Sequence, residues 1–331
     1  MAEINGQDVS VARTLTILGC GTLGSAILFG LLAGSAQEKL HDGVSKEQVN
    51  GHNPPKLKAG EKLLRPTHYV ACVRTQKSVA RLKHGLAAQF QSPIPVRISQ
   101  GDNVSAVNAA STIILGCQPQ DLDMCLKEDG LVQALQGKLI ISILAGITIP
   151  QLEYQIDRAP SVERSSSATT IIRAMPNTCA LHNASTTLLT VSEDYRPSAH
   201  TLAQTKTLLS SIGGVHPISP AQMDPCTALC GSTPAFFARI IDGLLDGAVS
   251  LGLKRSEAKL LVAETMKGVA EGLMKGQDTG EVVETVCTPG GSSIQGVLVL
   301  ERNGMKGLLA DALRAAAGAN GTLGRQRGAD V

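Results

Sequence analysis

A short glycine-rich run, Gly19-Cys20-Gly21-Thr22-Leu23-Gly24, has the spacing of a turn that cradles the diphosphate of a dinucleotide. Each glycine has a separate task in such a turn. Gly19 permits the tight bend, Gly21 lets backbone approach the diphosphate, and Gly24 lets the next helix pack closely on the sheet. Backbone N–H groups at the helix start favour the anion. The run alone is a weak signal, since glycine-rich turns are common. Its context makes it specific: Thr14 to Leu18 is a short β-rich run, and Ser25 to Ala33 reads as a buried helix leaving the turn.

The next strand, His68 to Val73, decides which dinucleotide fits. For NAD an acidic residue is expected at its end, on the ribose 2'-hydroxyl. Asp42 and Glu47 lie near the textual spacing of about twenty residues but follow no strand. The strand instead ends on Arg74, Thr75 and Lys77, which offer a guanidinium, a hydroxyl and an ammonium where a 2'-phosphate would sit. NADP(H) is therefore favoured over NAD(H), the bland alternative being a solvated basic turn.

These residues need a scaffold, and the rest of the chain supplies its pattern. Further apolar strands are expected at Val96 to Ile98, Thr112 to Cys117, Leu139 to Ile143, Ile171 to Ala174 and Thr186 to Val191, with helices between several of them. This alternation argues an α/β fold, an N-terminal Rossmann doubly wound parallel sheet covered on both faces. Residues 34–66 are polar and rich in Lys, Gly and Pro, which reads as a surface insertion. After about Arg196 the sequence becomes Ala/Leu/Gly-rich and helical, with one β-like piece at Gly214 to Ile218. The expected division is a dinucleotide-binding domain over 1–195 and an all-helical domain over 196–331. Within the latter, Phe236 to Leu253 carries an apolar face too wide for a helix that touches a core on one side only, as in a bundle or an oligomer interface.

Bulk properties exclude several classes. At 331 residues with 43% apolar content the chain can bury two cores. A formal net charge of +2 without a dense Lys/Arg run gives no basic face for nucleic acid, and the absence of Trp removes stacking platforms. The eight cysteines never form a C-x-x-C spacing. Cys226 and Cys230 lie one helical turn apart, as buried thiols or, without a His or acidic cluster, as a poor ligand pair; no metal is expected. The Met-Ala-Glu start lacks a secretory signal, and no run of about 18 apolar residues suggests a membrane span. A cytoplasmic location is expected.

Three later segments, read with the glycine turn, resemble the pyrroline-5-carboxylate reductase family, most strongly its fungal members. Asn103 to Pro119 looks like the family's Asn-containing helix leading to the fourth strand and its Lys-Pro ending. Arg173-Ala174-Met175-Pro176-Asn177-Thr178 matches its Arg-x-Met-Pro-Asn-Thr segment. Cys287-Thr288-Pro289-Gly290-Gly291-Ser292-Ser293 fits its Pro-Gly-Gly-Thr-Thr signature, and Gly231-Ser232-x-Pro234-Ala235 joins them. The resemblance implies reduction of a cyclic imine carboxylate to proline and a C-terminal domain that forms a homodimer or larger homo-oligomer. It places Asn103, Cys117, Gln118, Pro119, Ala145, Gly146 and Asn177 at the cofactor. It also sends the substrate carboxylate to the loop of Pro289, Gly290, Gly291, Ser292 and Ser293. Two glycines followed by two serines at a helix start would be an anion site on physical grounds alone.

The departures from the family pattern cluster where substrate should sit. Ser-Gly-Pro becomes Ser232-Thr233-Pro234, and Arg239 stands where many members carry Thr. Gln118 replaces Lys, Cys179 replaces Pro, and His182, Asn183, Ala184 and Ser185 replace the usual glycines. Ser232, Thr233 and Arg239 are the candidate catalytic residues. Arg239 would repel an iminium, pair with a second carboxylate, or face away. His182 is a proton donor or a surface residue. Three readings follow: a pyrroline-5-carboxylate reductase, a paralogue acting on another cyclic imine such as a piperideine carboxylate or a secondary-metabolite intermediate, and a catalytically silent NADP-binding protein.

Overall fold

The computed structural model describes residues 13–39, 65–89, 94–156, 169–192 and 196–325. Strand β1 (Thr14–Leu18) runs into the turn at Gly19 and on into helix α1 (Thr22–Lys39). The helix begins three residues before Ser25 and continues past Ala33, so residues 34–39 of the expected insertion belong to it. Residues 40–64 of that insertion lie outside the described residues, and Arg65 and Pro66 lead into β2 (His68–Val73). Residues 24–32 of α1 are all buried. The helix is enclosed on the side away from the sheet by the turn after β6, where Gly30 faces the Ala180 carbonyl so closely that a Cβ would overlap it.

The remaining elements of the first unit are α2 (Gln76–Gln89), β3 (Val96–Gln100), α3 (Asn103–Asn108), β4 (Thr112–Leu115), α4 (Leu122–Leu126), α5 (Leu131–Leu135), β5 (Leu139–Ser142), α6 (Ile149–Ile156), β6 (Thr170–Met175), β7 (Ser185–Val191), α7 (Ala199–Ser210), β8 (Gly213–Pro217) and α8 (Met223–Thr227). The strands form one sheet in the order β3-β2-β1-β4-β5-β6-β7-β8. Side-chain alternation feeds two cores. Leu15, Ile17, Ala71, Ile114, Ile141 and Ile172 face α1 and α2, whereas Leu18, Val70, Ile113, Leu115, Ile140 and Ile171 face the α3 to α6 side. Both faces are dry, which explains why these strands read as unbroken apolar runs.

Two expectations need correction. The sheet is parallel only from β3 through β6; β7 is antiparallel to β6, and β8 is parallel to β7. Residues 176–184 are too few for the crossover of a dozen or so residues that a parallel pair requires. The domain boundary also moves. The β-like piece near Gly214 is β8, which pairs with β7 in the register Thr187↔Val215, so it completes the sheet instead of interrupting a helical domain. The described residues through Gly231 form one compact unit, and Ser232–Ala319 form a second.

The second unit consists of α9 (Thr233–Ser250), α10 (Arg255–Met274), α11 (Thr279–Val286), α12 (Ser292–Arg302) and the first part of α13 (Met305–Arg325). Helices α9 and α10 pack together, yet only Leu245 and Ala258 of the unit's apolar residues are buried. Phe237, Leu244, Leu260, Leu261, Met274, Val299 and Leu308 are exposed. Five helices whose apolar faces stay wet in one copy do not make a complete core.

Candidate functional site

The cofactor candidates meet at the carboxyl edge of the parallel strands, at the switch point where the sheet order reverses between β1 and β4. The turn is tied to both neighbours. Cys20 N–H donates to the Cys72 carbonyl at 2.8 Å, and Gly116 N–H donates to the Leu18 carbonyl at 2.8 Å. Gly19 sits at φ +87°, and a Cβ on it would collide with the backbone of Gly116 and Cys117, so glycine is required twice over. Gly24 is close to Ile17 of β1, with 3.2 Å to the methyl that a Cβ would meet. Gly21 differs: nothing lies within 4 Å of a Cβ placed there. The turn therefore presents an open backbone face beside Thr22 and Leu23, the first residues of α1. This is the cradle that a dinucleotide diphosphate fits.

Beyond β2, the basic residues lie as the sequence suggests but not idle. Arg74 is 69% exposed and its guanidinium lies 3.2 Å from the Asp121 carboxylate. Thr75 Oγ1 accepts the Ser78 N–H at 3.2 Å and thereby starts α2, while Lys77 is exposed in its first turn. Sequence reasoning missed Arg81. From α2 it donates to the Cys20 carbonyl at 3.1 Å and to Ser25 Oγ at 3.3 Å. A backbone acceptor about sixty positions away leaves no mark in the sequence.

The other candidates divide. Cys117, Gln118 and Pro119 follow β4 directly, and Ala145 and Gly146 form the turn after β5, Gly146 at φ +73°. Both segments edge the same rim. Asn103 begins α3, where its amide Nδ2 donates to Glu128 at 2.5 Å and its backbone N–H to the same carboxylate at 3.3 Å. Asn177 is buried and held within the protein: Nδ2 donates to the Cys230 carbonyl at 2.9 Å, and Oδ1 accepts the Cys179 N–H at 3.1 Å. Its amide is a structural joint between β6 and the segment after α8. His182 is exposed at the end of a short 3-10 turn, and Asn183 behind it takes the left-handed conformation at φ 56°.

The thiols near the turn are neutral. Burial pushes Cys20 up to about 11, opposed by its contact with Ser25 and by the Arg81 charge. Burial likewise pushes Cys72 up to about 12. A hydrogen bond with Cys125, together with burial, holds the Cys117 thiol protonated. Cys20, Cys72 and Cys117 therefore bring no negative charge against an anion at the turn. Cys226 and Cys230 pack against Met175, Leu188 and Met223, and among the described residues no group of three His, Cys, Asp or Glu could hold a metal ion.

In the second unit, Pro289 and Gly290 lead into α12. Gly290 is at φ +72°, and Gly291 is the extended residue before the first turn, with no side-chain cap on its N–H groups. Ser292 and Ser293 open the helix, so uncapped donors and two hydroxyls share one helix start. Ser232 immediately precedes α9 without a side-chain capping bond, and Thr233 is the first residue of the helix. Arg239 is 86% exposed and pairs with Asp242 at 3.3 Å, and Arg255 binds Asp242 and Asp246. In this single copy Arg239 is thus held by a carboxylate of its own helix.

With this geometry in place, the likeness to known proteins becomes interpretable. Residues 220–323 match the family model described as pyrroline-5-carboxylate reductase dimerisation, and residues 14–146 match that of NADP oxidoreductase, coenzyme F420-dependent. A pyrroline-5-carboxylate reductase of Lophium arboricola is 39% identical over 94% of this chain and 93% of its own length. The chain belongs to the pyrroline-5-carboxylate reductase family. The Neurospora crassa pyrroline-5-carboxylate reductase is 35% identical over 92% of this chain and 90% of its own. Among solved structures, the Plasmodium falciparum pyrroline carboxylate reductase with NADP bound superposes with a TM-score of 0.70, at 22% identity, covering 94% of this chain and 98% of that one. As a member of the pyrroline-5-carboxylate reductase family, the chain is an imine oxidoreductase whose Rossmann-like sheet takes a pyridine nucleotide.

Proposed function

We propose that this protein reduces 1-pyrroline-5-carboxylate to L-proline with NADPH. The observation that carries the reading is the open glycine turn at the β1/β4 switch point, followed one strand away by Arg74, Thr75 and Lys77, in a chain of this family. The absence of a carboxylate at the end of β2, where NAD would want one, favours the 2'-phosphate.

A bound nicotinamide supplies the hydride, and the protein positions its acceptor. The imine nitrogen takes a proton, which makes the ring carbon electrophilic; hydride joins that carbon, and the ring becomes a secondary amine. The uncapped start of α12, with Ser292 and Ser293, suits a carboxylate; within the first unit, Gln118, Ala145 and Gly146 stand on the rim that suits the cofactor. Such a site has to align two reactants more than it has to supply strong acids or bases.

The wet apolar faces of α9 to α13 are suited to a second copy, so the enzyme is proposed to be a homodimer or a larger homo-oligomer. Residues 220–250 form a continuous helical stretch that contains an 18-residue window of mean hydropathy 1.2, long and apolar enough by composition to cross a membrane. Their match to the dimerisation family favours a protein partner over lipid. Eight free cysteines, two of them buried, suit a reducing cytoplasmic setting.

One specific observation favours a second reading. Thr233 and Arg239 stand where the family has a glycine and, in many members, a threonine, so the acceptor could be another cyclic imine such as a piperideine carboxylate or a secondary-metabolite intermediate. Oxidation of NADPH with each imine, with chromatographic identification of the product, separates the readings. Proline at a useful rate supports the first; turnover only with other imines supports the second. Nucleotide binding without turnover on any of them leaves a silent binding protein.

A further inference from the structure

Arg81 stands outside every motif that the family resemblance or the basic turn singled out, yet its side chain reaches the glycine turn from another element. Its placement is fixed by helix packing. Gly85, one turn further along α2, lies against the Phe29 ring so tightly that a Cβ on Gly85 would sit 2.5 Å from it. Ser25 and Phe29 are spaced as Arg81 and Gly85 are, four residues apart on one helix face. The Gly85–Phe29 contact therefore sets α2 alongside α1 and delivers the Arg81 guanidinium to the helix start. Leu82, fully buried beside it, fixes α2 against the core.

At the turn the guanidinium binds two acceptors with one nitrogen, the Cys20 carbonyl at 3.1 Å and Ser25 Oγ at 3.3 Å. Ser25 Oγ in turn donates to the Gly21 carbonyl at 2.6 Å. The peptide unit is planar, so a bond to the Cys20 carbonyl fixes the whole Cys20–Gly21 unit. That unit borders the open face where Gly21 admits the diphosphate. The positive charge also sits beside the N-terminus of α1, where it adds to the potential that attracts an anion.

We infer that Arg81 is a positioning residue for the cofactor diphosphate, holding the Cys20–Gly21 peptide and the start of α1 in the binding-ready geometry. It serves the part of the cofactor that NADH and NADPH share, whereas Arg74, Thr75 and Lys77 face the part that differs. The inference rests on a pyridine nucleotide occupying the glycine turn and is independent of which nucleotide is preferred.

The test is titration of Arg81→Ala and Arg81→Lys in the full-length protein with NADPH and with NADH, read by nucleotide fluorescence, alongside kcat at saturating nucleotide. Arg81→Ala is expected to raise the Kd of both nucleotides by the same factor, about tenfold for the loss of a charge-assisted bond. Arg81→Lys keeps the charge and one bond and should recover part of that loss, with kcat changed by less than about threefold in either variant. A rise confined to NADPH would overturn the inference, because it would place Arg81 on the 2'-phosphate. Unchanged affinity for both in a folded variant would overturn it as well. Should Arg81→Ala fail to fold, the lysine variant carries the same comparison. Failure of the wild-type protein to bind either nucleotide would overturn the cofactor reading itself, and this inference with it.

Discussion

The Arg74 guanidinium lies 3.2 Å from the Asp121 carboxylate, so the residue best suited to a 2'-phosphate is already paired across the cofactor rim. With Arg74 69% exposed, that pair contributes at most about 1 kcal/mol. A guanidinium on a phosphate makes stronger, charge-assisted and often bidentate bonds, so the phosphate should win the competition. Arg74→Ala is expected to raise the KM for NADPH by about tenfold or more and leave that for NADH nearly unchanged. Asp121→Asn frees the guanidinium and should lower the NADPH KM by a few-fold. Steady-state kinetics with both nucleotides reads the outcome, and an equal rise for NADH in Arg74→Ala would sink the NADP assignment.

Two glycines on the same helix path should behave in opposite ways. A Cβ at Gly21 meets nothing within 4 Å, so Gly21→Ala should unfold at nearly the wild-type temperature while losing about tenfold or more in nucleotide affinity. A Cβ at Gly30 overlaps the Ala180 carbonyl, which Asn183 helps hold in place by donating to the Gly30 and Ser211 carbonyls at 2.7 and 2.5 Å. Gly30→Ala should destabilise the fold by about 1–3 kcal/mol through overpacking, with affinity per folded molecule unchanged. Thermal melts paired with nucleotide titration distinguish them. Equal stability losses in the two variants would contradict the open-cradle reading of Gly21.

What the sequence made legible was whatever repeats locally. The glycine turn, its flanking strand and helix, and the apolar strand runs each carry their signal within a dozen residues, and all of them appear in the sheet. The reversal at β7 was legible in principle, from the short span 176–184, but the strand itself looks the same in either direction. Arg81 was not legible, because its acceptor is a backbone carbonyl brought near by helix packing. Asn177 shows a related limit: its motif invites a cofactor role, and the bonds that hold its amide to Cys230 and Cys179 are not legible from the motif. Phe236 to Leu253 was readable as a helix with too wide an apolar face for one-sided packing, and Phe237, Leu244 and Val249 on it are exposed in one copy.

A buried charge in β6 allows a stability prediction. Arg173 is 6% exposed, its Nε has no hydrogen-bond partner among the described residues, and it pairs with Asp224 of α8 at 3.8 Å, itself half exposed. Burial lowers the pKa of the guanidinium and Asp224 partly offsets this, which marks a charge held with incomplete compensation. Asp224→Ala leaves that charge alone and is expected to destabilise by about 1–3 kcal/mol, toward the low end because Asp224 is partly solvated. Arg173→Met removes the charge with its polar demand and should be the milder change. Denaturant midpoints decide it; a more severe loss in Arg173→Met would mean that the guanidinium contributes through contacts beyond Asp224.

The thiols around the turn predict an alkaline limit to stability. Cys20 is pushed from the ordinary 9.0 up to about 11 by burial, and Cys72 up to about 12. Between the unfolded and folded values the native chain holds protons that the unfolded chain releases, so stability falls as pH rises. The contribution is intact below about pH 9 and is lost progressively as pH climbs through 11 and 12. For Cys20 alone the interval corresponds to about 3 kcal/mol. Urea unfolding at pH 7.5, 9 and 10.5 should therefore give a falling midpoint, and Cys20→Ala should flatten the decline above pH 9 even if it lowers the midpoint at pH 7.5. An identical slope in wild type and Cys20→Ala would mean that the turn opens to solvent before the thiol ionises, and the dry packing of Cys20 beneath the cofactor cradle would have to be abandoned.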